Sequence, residues 1–495
     1  MKRDAFTRVT HWLCCIYLLL LSSVFLLAIP KGYYGLVALK YRLFLILSCA
    51  LTGSVALLDL ARLFLKRLRP SKPDWFTVLC LSYVLFTGLS ALLSDYDGVW
   101  LGNGRKDGFV TILLYVSVCL TLRRHYRPRR AELIVFCAAC CAFCLLGLAQ
   151  LAGKNPFGIY AAGTDFYLAR GGSGTFLATL GNCDTCATLL SVGMGVSFAT
   201  VLRRKSVFGW LCLFPLFLCT YFAFSLGVEA AYVALIAVVL LPLWLLAGDS
   251  KGICALPAAY GVICLAMGCS LTLTFSRYGN QFSFSLPALL LFAMALLLGC
   301  ASVWLCRRPP KVAEGRLRTS LLLLTLFLIV LALALLYFCK NLPSGFLSEA
   351  HNILHGRIKA SYGSDRIGIW RAVWKKIQEK PFFGGGPDTL AARGCYFVRQ
   401  QGYTYYLDAA HSEPLNIWVN QGVFALLAYL GLIVLTFRTA IKKRTAAALV
   451  AGCGVLAYVA QSCFSISMPM ITPFLWALIA VVNSQNQPLA KRRSK

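Results

Sequence analysis

Charge is scarce in this chain. Asp, Glu, Lys and Arg make up 13% of its 495 residues, about half the share of a soluble domain, while apolar residues make up 59%. A fold so poor in charge cannot cover itself with polar surface. That excludes an ordinary soluble domain and leaves the bilayer as the natural solvent. Acidic residues are the scarcer kind, 18 against 48 basic ones.

Other absences narrow the field further. No Cys-x-x-Cys pair has its second pair, or histidines, at zinc spacing, so the 22 cysteines do not read as a metal site. Most fall inside apolar runs, as Cys137, Cys140, Cys141 and Cys144 do, and read as small polarizable packing residues. Too few lie in outer loops for a disulfide framework. No strong internal repeat is visible, and few polar residues sit in the middle of apolar runs, where a transporter would place them. Met1–Pro30 starts basic and runs apolar from Trp12 to Ile29, but it lacks a clear small-x-small cleavage site. It reads as a retained first helix.

What is present is a series of apolar runs near the 20 residues or so that a spanning helix needs. They fall at about 12–30, 42–64, 75–94, 109–122, 131–152, 180–202, 207–224, 228–247, 252–275, 284–306, 319–339, 413–437, 445–463 and 468–483. The expected fold is all-α: a polytopic transmembrane bundle of twelve to fourteen spans. Its parts are an N-terminal bundle (1–339, about eleven spans), one large loop (340–412) and a C-terminal bundle (413–495, about three spans).

The net charge of +30 would suggest nucleic acid in a soluble protein. Here the basic residues cluster between apolar runs, as in Arg123-Arg124-His125-Tyr126-Arg127, Arg203-Arg204-Lys205 and Lys442-Lys443-Arg444. That is the positive-inside pattern, so the basicity reads as topology and no nucleic-acid partner is expected. Counted over alternating short loops, Lys and Arg on the side of the N-terminus outnumber the rest more than threefold. Both termini are therefore expected in the cytoplasm of a multi-pass cell-membrane protein, with 340–412 outside. This loop holds ten Lys or Arg, an unusual load for the outer face and one that suits an anionic substrate such as a lipid diphosphate.

Within the loop, Ile367, Trp370, Trp374 and Ile377 recur at three- and four-residue steps and predict an amphipathic helix lying on the outer surface. Ser364 or Asp365 would cap it and Pro381 would stop it. Arg366 then falls in the first turn, beside free backbone N–H groups, where a guanidinium can hold a diphosphate with two parallel hydrogen bonds. Arg371 turns partly away. The blander reading of both is a solvated basic face. Gly384-Gly385-Gly386, between Pro381 and Pro387, is a turn that lets backbone approach a ligand or another helix closely. His411 follows, with Asp408 and Glu413 beside it, directly before a long apolar run. A neighbouring carboxylate could orient the ring as a general base for a hydroxyl. The alternative is a polar cluster that caps the helix.

These residues resemble the O-antigen ligase and polymerase family of bacterial envelope proteins. The likeness rests on Arg366, Trp370, Pro381, Gly384 and Gly386, then Asp408, Ala410, His411, Glu413, Leu415 and Gly422. A second stretch, Gly174-Thr175-Phe176 followed by Leu180-Gly181-Asn182-Cys183-Asp184, also matches. The resemblance implies an inverting glycosyltransferase at the outer face of the cytoplasmic membrane. Its donor would be a glycan on a polyprenyl diphosphate, and its acceptor the hydroxyl of a glycan or lipid-glycan among the membrane lipids. No metal, nucleotide or other cofactor is implied.

Carried over, Arg366 binds the diphosphate and stabilises it as the leaving group, and His411 is the base. Asn182, Asp408 and Glu413 join the substrate site. The chain departs from the family pattern at Ser412, where Asn is common, and at Ser225–Glu229, where an Arg is common and Glu229 stands instead. Arg170 and Arg371 are the available substitutes for that arginine. A repeat-unit polymerase of the same family and a transporter or flippase of lipid-linked glycans are the alternative readings. The topology has a direct check: a cysteine introduced at position 400 should react with an impermeant maleimide from outside the cell, and labelling from inside alone would overturn the orientation.

Overall fold

The computed structural model of the chain describes residues 5–65, 73–160, 178–203, 206–276, 279–339, 345–398 and 402–485. Arg170, Gly174-Thr175-Phe176 and position 400 lie outside the described residues.

All fourteen apolar runs are helical. In chain order they are α1 (Ala5–Leu20, continued by a π turn over Leu21–Phe25), α2 (Leu36–Phe64), α3 (Trp75–Leu92), α4 (Phe109–His125), α5 (Arg130–Leu151) and α6 (Cys183–Arg203). Then come α7 (Val207–Leu226), α8 (Glu229–Leu240), α9 (Ser250–Thr272), α10 (Leu286–Arg307) and α11 (Glu314–Phe338). The loop carries α12 (Phe346–Leu354) and α13 (Arg366–Glu379), and the chain re-enters through α14 (Glu413–Lys443), α15 (Ala446–Ser462) and α16 (Thr472–Asn483). Among the described residues ten helices are long and apolar enough to cross a membrane, and α8, α15 and α16 are shorter apolar helices. The chain is an all-α polytopic membrane bundle. Its strands, among the described residues, are two small hairpins: β1 (Leu273–Ser276) with β2 (Gly279–Phe282), and β3 (Tyr396–Val398) with β4 (Thr404–Tyr406).

The centre of the bundle is α6, buried along its whole length. It is packed by α7, α8, α9 and α15. Small residues let it sit there. A Cβ at Gly195 would lie 2.6 Å from the Cys453 carbonyl oxygen, and one at Gly193 2.7 Å from Cys219 Sγ. In lipid, where there is no hydrophobic drive between helices, such close approach supplies the dispersion contacts that hold helices together. By contrast α10 and α11 are exposed along nearly all their length.

The loop helix α13 forms where expected, with a rotated buried face. Ile369, Val373 and Ile377 point inward, against Leu390, Phe397, Leu407, Ala410 and Val419. Trp374 is exposed and meets Trp418 edge-on at 5.4 Å, and Trp370 is half-buried at 6.0 Å from Phe464. The correction has a simple cause. Two apolar stripes share this helix, and the loop's own small core selects the one with shorter side chains. Asp365 takes the N-cap position in a left-handed conformation, without a side-chain cap bond.

The glycine turn inserts into α14. That helix breaks at Gly422 (φ 86°, ψ 172°), and the freed backbone groups pair with the turn. Gly385 N–H donates to the Val419 carbonyl (3.1 Å), Gly386 N–H to Asn420 (2.8 Å), and Val423 N–H to Pro381 (3.0 Å). Ser90 Oγ and Ser94 Oγ, around the end of α3, donate to the carbonyls of Asn420 and Gly385. A broken helix at this depth is tolerated only when such partners satisfy it. A Cβ at Gly422 would lie 2.0 Å from the Phe382 carbonyl oxygen, in a backbone conformation that disfavours side chains. Gly422→Ala should therefore cost about 3 kcal/mol or more and lower the thermal unfolding midpoint of the detergent-solubilised protein by several degrees.

Candidate functional site

The site grows from the N-terminus of the buried helix. Asn182 Oδ1 accepts from the backbone N–H of Asp184 (2.8 Å) and Thr185 (3.4 Å), which caps α6. The cap presents Asp184 in the first turn, where the helix dipole favours a negative charge. α15 is fastened there too: Thr188 Oγ1 donates to Gln461 Oε1 (2.7 Å), and Gln461 Nε2 donates to the Asp184 carbonyl (3.2 Å).

Two of the side chains expected from sequence converge on that carboxylate. Arg366 Nη2 stands 3.6 Å from Asp184 Oδ1, and His411 Nδ1 stands 3.9 Å from Asp184 Oδ2. Both separations are charge contacts beyond hydrogen-bond range. The Arg366 guanidinium is oriented by two carbonyls, Phe464 (2.9 Å from Nε) and Gly363 (2.9 Å from Nη1). His411 sits in the left-handed region (φ 49°) just before α14, a conformation that costs about 1–2 kcal/mol in a non-glycine residue. Its side chain is 28% exposed, against 14% for Arg366 and 16% for Asp184, so the imidazole is the most open of the three.

Arg105, in the turn before α4, completes the group. Its Nη2 donates to Asp408 Oδ1 at 2.7 Å, and its backbone N–H donates to Asp388 Oδ2 at 3.2 Å. Its remaining donors are poorly used: Nη1 meets the weak acceptor Met468 Sδ at 3.6 Å, and the buried Nε has no partner among the described residues. Asp107, two residues on, is buried and accepts from Ser467 Oγ at 2.7 Å; burial pushes its carboxyl up to about 6.

The electrostatics favour a neutral imidazole. Burial is the largest influence on His411 and lowers its pKa below the ordinary 6.5. Asp184 opposes this, Arg105 and Arg366 add to it, and Asp408 opposes it again. Burial would raise Asp408, but the Arg105 guanidinium outweighs it and holds that carboxyl below the usual range.

Of the residues expected from sequence, the structure brings Arg366, His411 and Asp408 to one end of the bundle. It gives others different work. The carboxylate beside His411 is Asp184, from a distant helix, whereas Asp408 is turned to Arg105. Glu413 is 3% exposed, enclosed by Tyr429, Tyr458 and Ser462 beneath the site, so it does not face a ligand as expected. Asn182 spends its side-chain oxygen on the helix cap. Arg371 is exposed and forms no ion pair among the described residues. Arg105 was the residue sequence reasoning passed over. The available signal was a Gly-Arg-Lys-Asp-Gly turn on the side where short loops carry few basic residues.

Comparison with known proteins adds one match. Residues 262–430 fit the sequence family described as O-Antigen ligase, a segment running from α9 through the loop into α14 and containing Arg366, His411 and Gly422. No curated protein matches the chain. The matched segment covers about a third of the sequence and includes Arg366 and His411, the two side chains that converge on Asp184.

Proposed function

We propose that this protein transfers a glycan from a polyprenyl diphosphate carrier to an acceptor hydroxyl at the outer face of the cytoplasmic membrane. The observation that carries the reading is the meeting of a neutral, partly open histidine with two oriented arginines at one end of the bundle. The polar load is gathered at that end, which favours surface chemistry over passage of a substrate through the bundle.

In the proposed reaction His411 takes the proton of the acceptor hydroxyl as its oxygen attacks the anomeric carbon. The bond from that carbon to the diphosphate oxygen breaks, and its electron pair leaves with the diphosphate. Inversion follows from the single displacement. Arg366, held by the Phe464 and Gly363 carbonyls, and Arg105, with donors to spare, neutralise the leaving group. Arg105 thus takes the place left open at Ser225–Glu229, in preference to Arg371. Asp184 orients Arg366 and stabilises the imidazolium once His411 has gained its proton. The same chemistry serves a ligase or a repeat-unit polymerase, which differ in the acceptor.

His411→Ala and Arg366→Ala should each reduce glycan transfer at least about a hundredfold while membrane insertion and yield stay normal. Full activity in either variant sinks the assigned role. A second check is the pH–rate profile. Because the base must be neutral and its pKa lies below 6.5, activity should persist through pH 7 and fall only on the acid side of that value. Arg105→Gln removes a cation that lowers the histidine's pKa and frees Asp408, which raises it. The acid limb should therefore move to higher pH, and an unmoved limb would separate Arg105 from the base.

A further inference from the structure

The turn that carries Arg105 is wrapped around a carboxylate from elsewhere in the chain. Between α3 and α4 the segment folds on itself: Gly102 N–H donates to the Gly98 carbonyl (2.7 Å), and Thr111 Oγ1 to the Lys106 carbonyl (2.7 Å). Gly102 and Lys106 both take left-handed conformations (φ 80° and 60°), and such alternation turns successive backbone N–H groups to one side. The N–H groups of Asn103, Arg105 and Asp107 donate to Asp388, that of Arg105 at 3.2 Å from Oδ2. A Cβ at Gly102 would lie 2.8 Å from the same oxygen, so the turn leaves no room there for a side chain.

Asp388 is itself fixed from the other side. It follows the Gly384–Gly386 turn in a left-handed conformation (φ 57°), which aspartate tolerates better than most residues. Thr389, next in the chain, donates its N–H to Asn420 Oδ1 (3.3 Å) and its hydroxyl to the Gly386 carbonyl (2.7 Å). Asn420 Nδ2 donates to Asn416 Oδ1 (3.3 Å), which also accepts the N–H of Ala410, the residue before His411 (3.2 Å). The Arg105 turn and the His411 segment therefore hang on one frame of buried amides in α14.

We infer that Asp388 is a positioning residue: its carboxylate gathers the backbone N–H groups of the 103–107 turn and so holds the Arg105 guanidinium against Asp408. The inference rests on the reaction proposed above for what Arg105 does there. The carboxylate's charge makes these hydrogen bonds roughly twice as strong as neutral ones, so no uncharged side chain holds the turn as firmly. The charged groups that bear on the His411 ring are Asp184, Arg105, Arg366 and Asp408, and Asp107 bears on Asp388 from the turn itself. Of the four around the ring, only Arg105 lies in the turn. Releasing it withdraws a cation that lowers the ring's pKa and frees Asp408, which raises it. Loss of the Asp388 charge by itself would act in the opposite sense, so the direction of the shift separates positioning from a direct charge effect.

The test reads His411 without requiring glycan transfer. Diethyl pyrocarbonate modifies neutral imidazoles, and peptide mass spectrometry of the full chain in mild detergent gives the pH midpoint of modification for His411 alone. Asp388→Gly keeps the left-handed backbone and removes the acceptor. It should move that midpoint upward by about half a pH unit. It should also cut glycan transfer about tenfold or more. Neither effect should grow when Asp388→Gly is combined with Arg105→Gln. Asp388→Asn, which keeps one oxygen, should move the midpoint upward by less. An unmoved midpoint, a downward shift, or full additivity with Arg105→Gln would overturn the positioning role. If Asp388→Gly fails to fold, Asp388→Asn decides. An upward midpoint without a matching shift in the acid limb of transfer would uphold the positioning and sink His411 as the base.

Discussion

One carboxylate ties the site together. Asp184 stands where Arg366 arrives from the loop helix and His411 from the segment before α14. Without an acid between them, a guanidinium and an imidazole at this burial would repel as soon as the ring took a proton. With it, the arginine stays oriented and the ring can accept a proton and lose it again. The acid is itself tolerable because it crowns the N-terminus of a helix, where the dipole and the Asn182 cap favour a negative charge. The most buried helix of the bundle thus ends in the most consequential charge.

A second constraint sets how closely the loop can approach. α14 cannot run unbroken beneath the loop, because the Gly384–Gly386 turn occupies the space a regular helix would need. Gly422 releases the helix, and the turn supplies the hydrogen bonds the break removes. Loop and bundle are therefore one hydrogen-bonded unit, and His411 and Arg366 are placed to the accuracy of that unit. Arg393 reinforces it, donating to the Val419 and Lys376 carbonyls at 2.8 and 2.7 Å. The positive φ of His411 is a local cost offset by this surrounding framework.

The two ends of the bundle carry different electrostatics. At the His411 end, burial lowers the pKa of the ring, and Arg105 and Arg366 add to that against the opposing Asp184 and Asp408. At the other end Arg123 pairs with Asp74 and donates to the Asn483 carbonyl, Lys443 donates to the Val482 and Ser484 carbonyls, and His125 meets Asp59 at 3.0 Å. Arg123 and Lys443 there close helix ends.

The sequence by itself determined where the helices run. That depends on the hydropathy of contiguous runs and on where charge interrupts them. It also carried the loop helix, the glycine turn and the motif around His411, because these are local patterns of spacing and residue type. Only the tertiary structure decided which carboxylate lies beside His411, which arginine meets Asp408 and which acid lies hidden. Arg105 meets Asp408 across 303 positions of chain, and nothing in either neighbourhood announces the other. Such pairs exist because α6 packs at the centre and brings α15 and the loop to its end, and packing order is a property of the whole bundle. Glu413 shows the limit most clearly. It stands two residues from His411, yet the helix that begins between them turns its side chain inward, among tyrosines and away from the face the histidine keeps open.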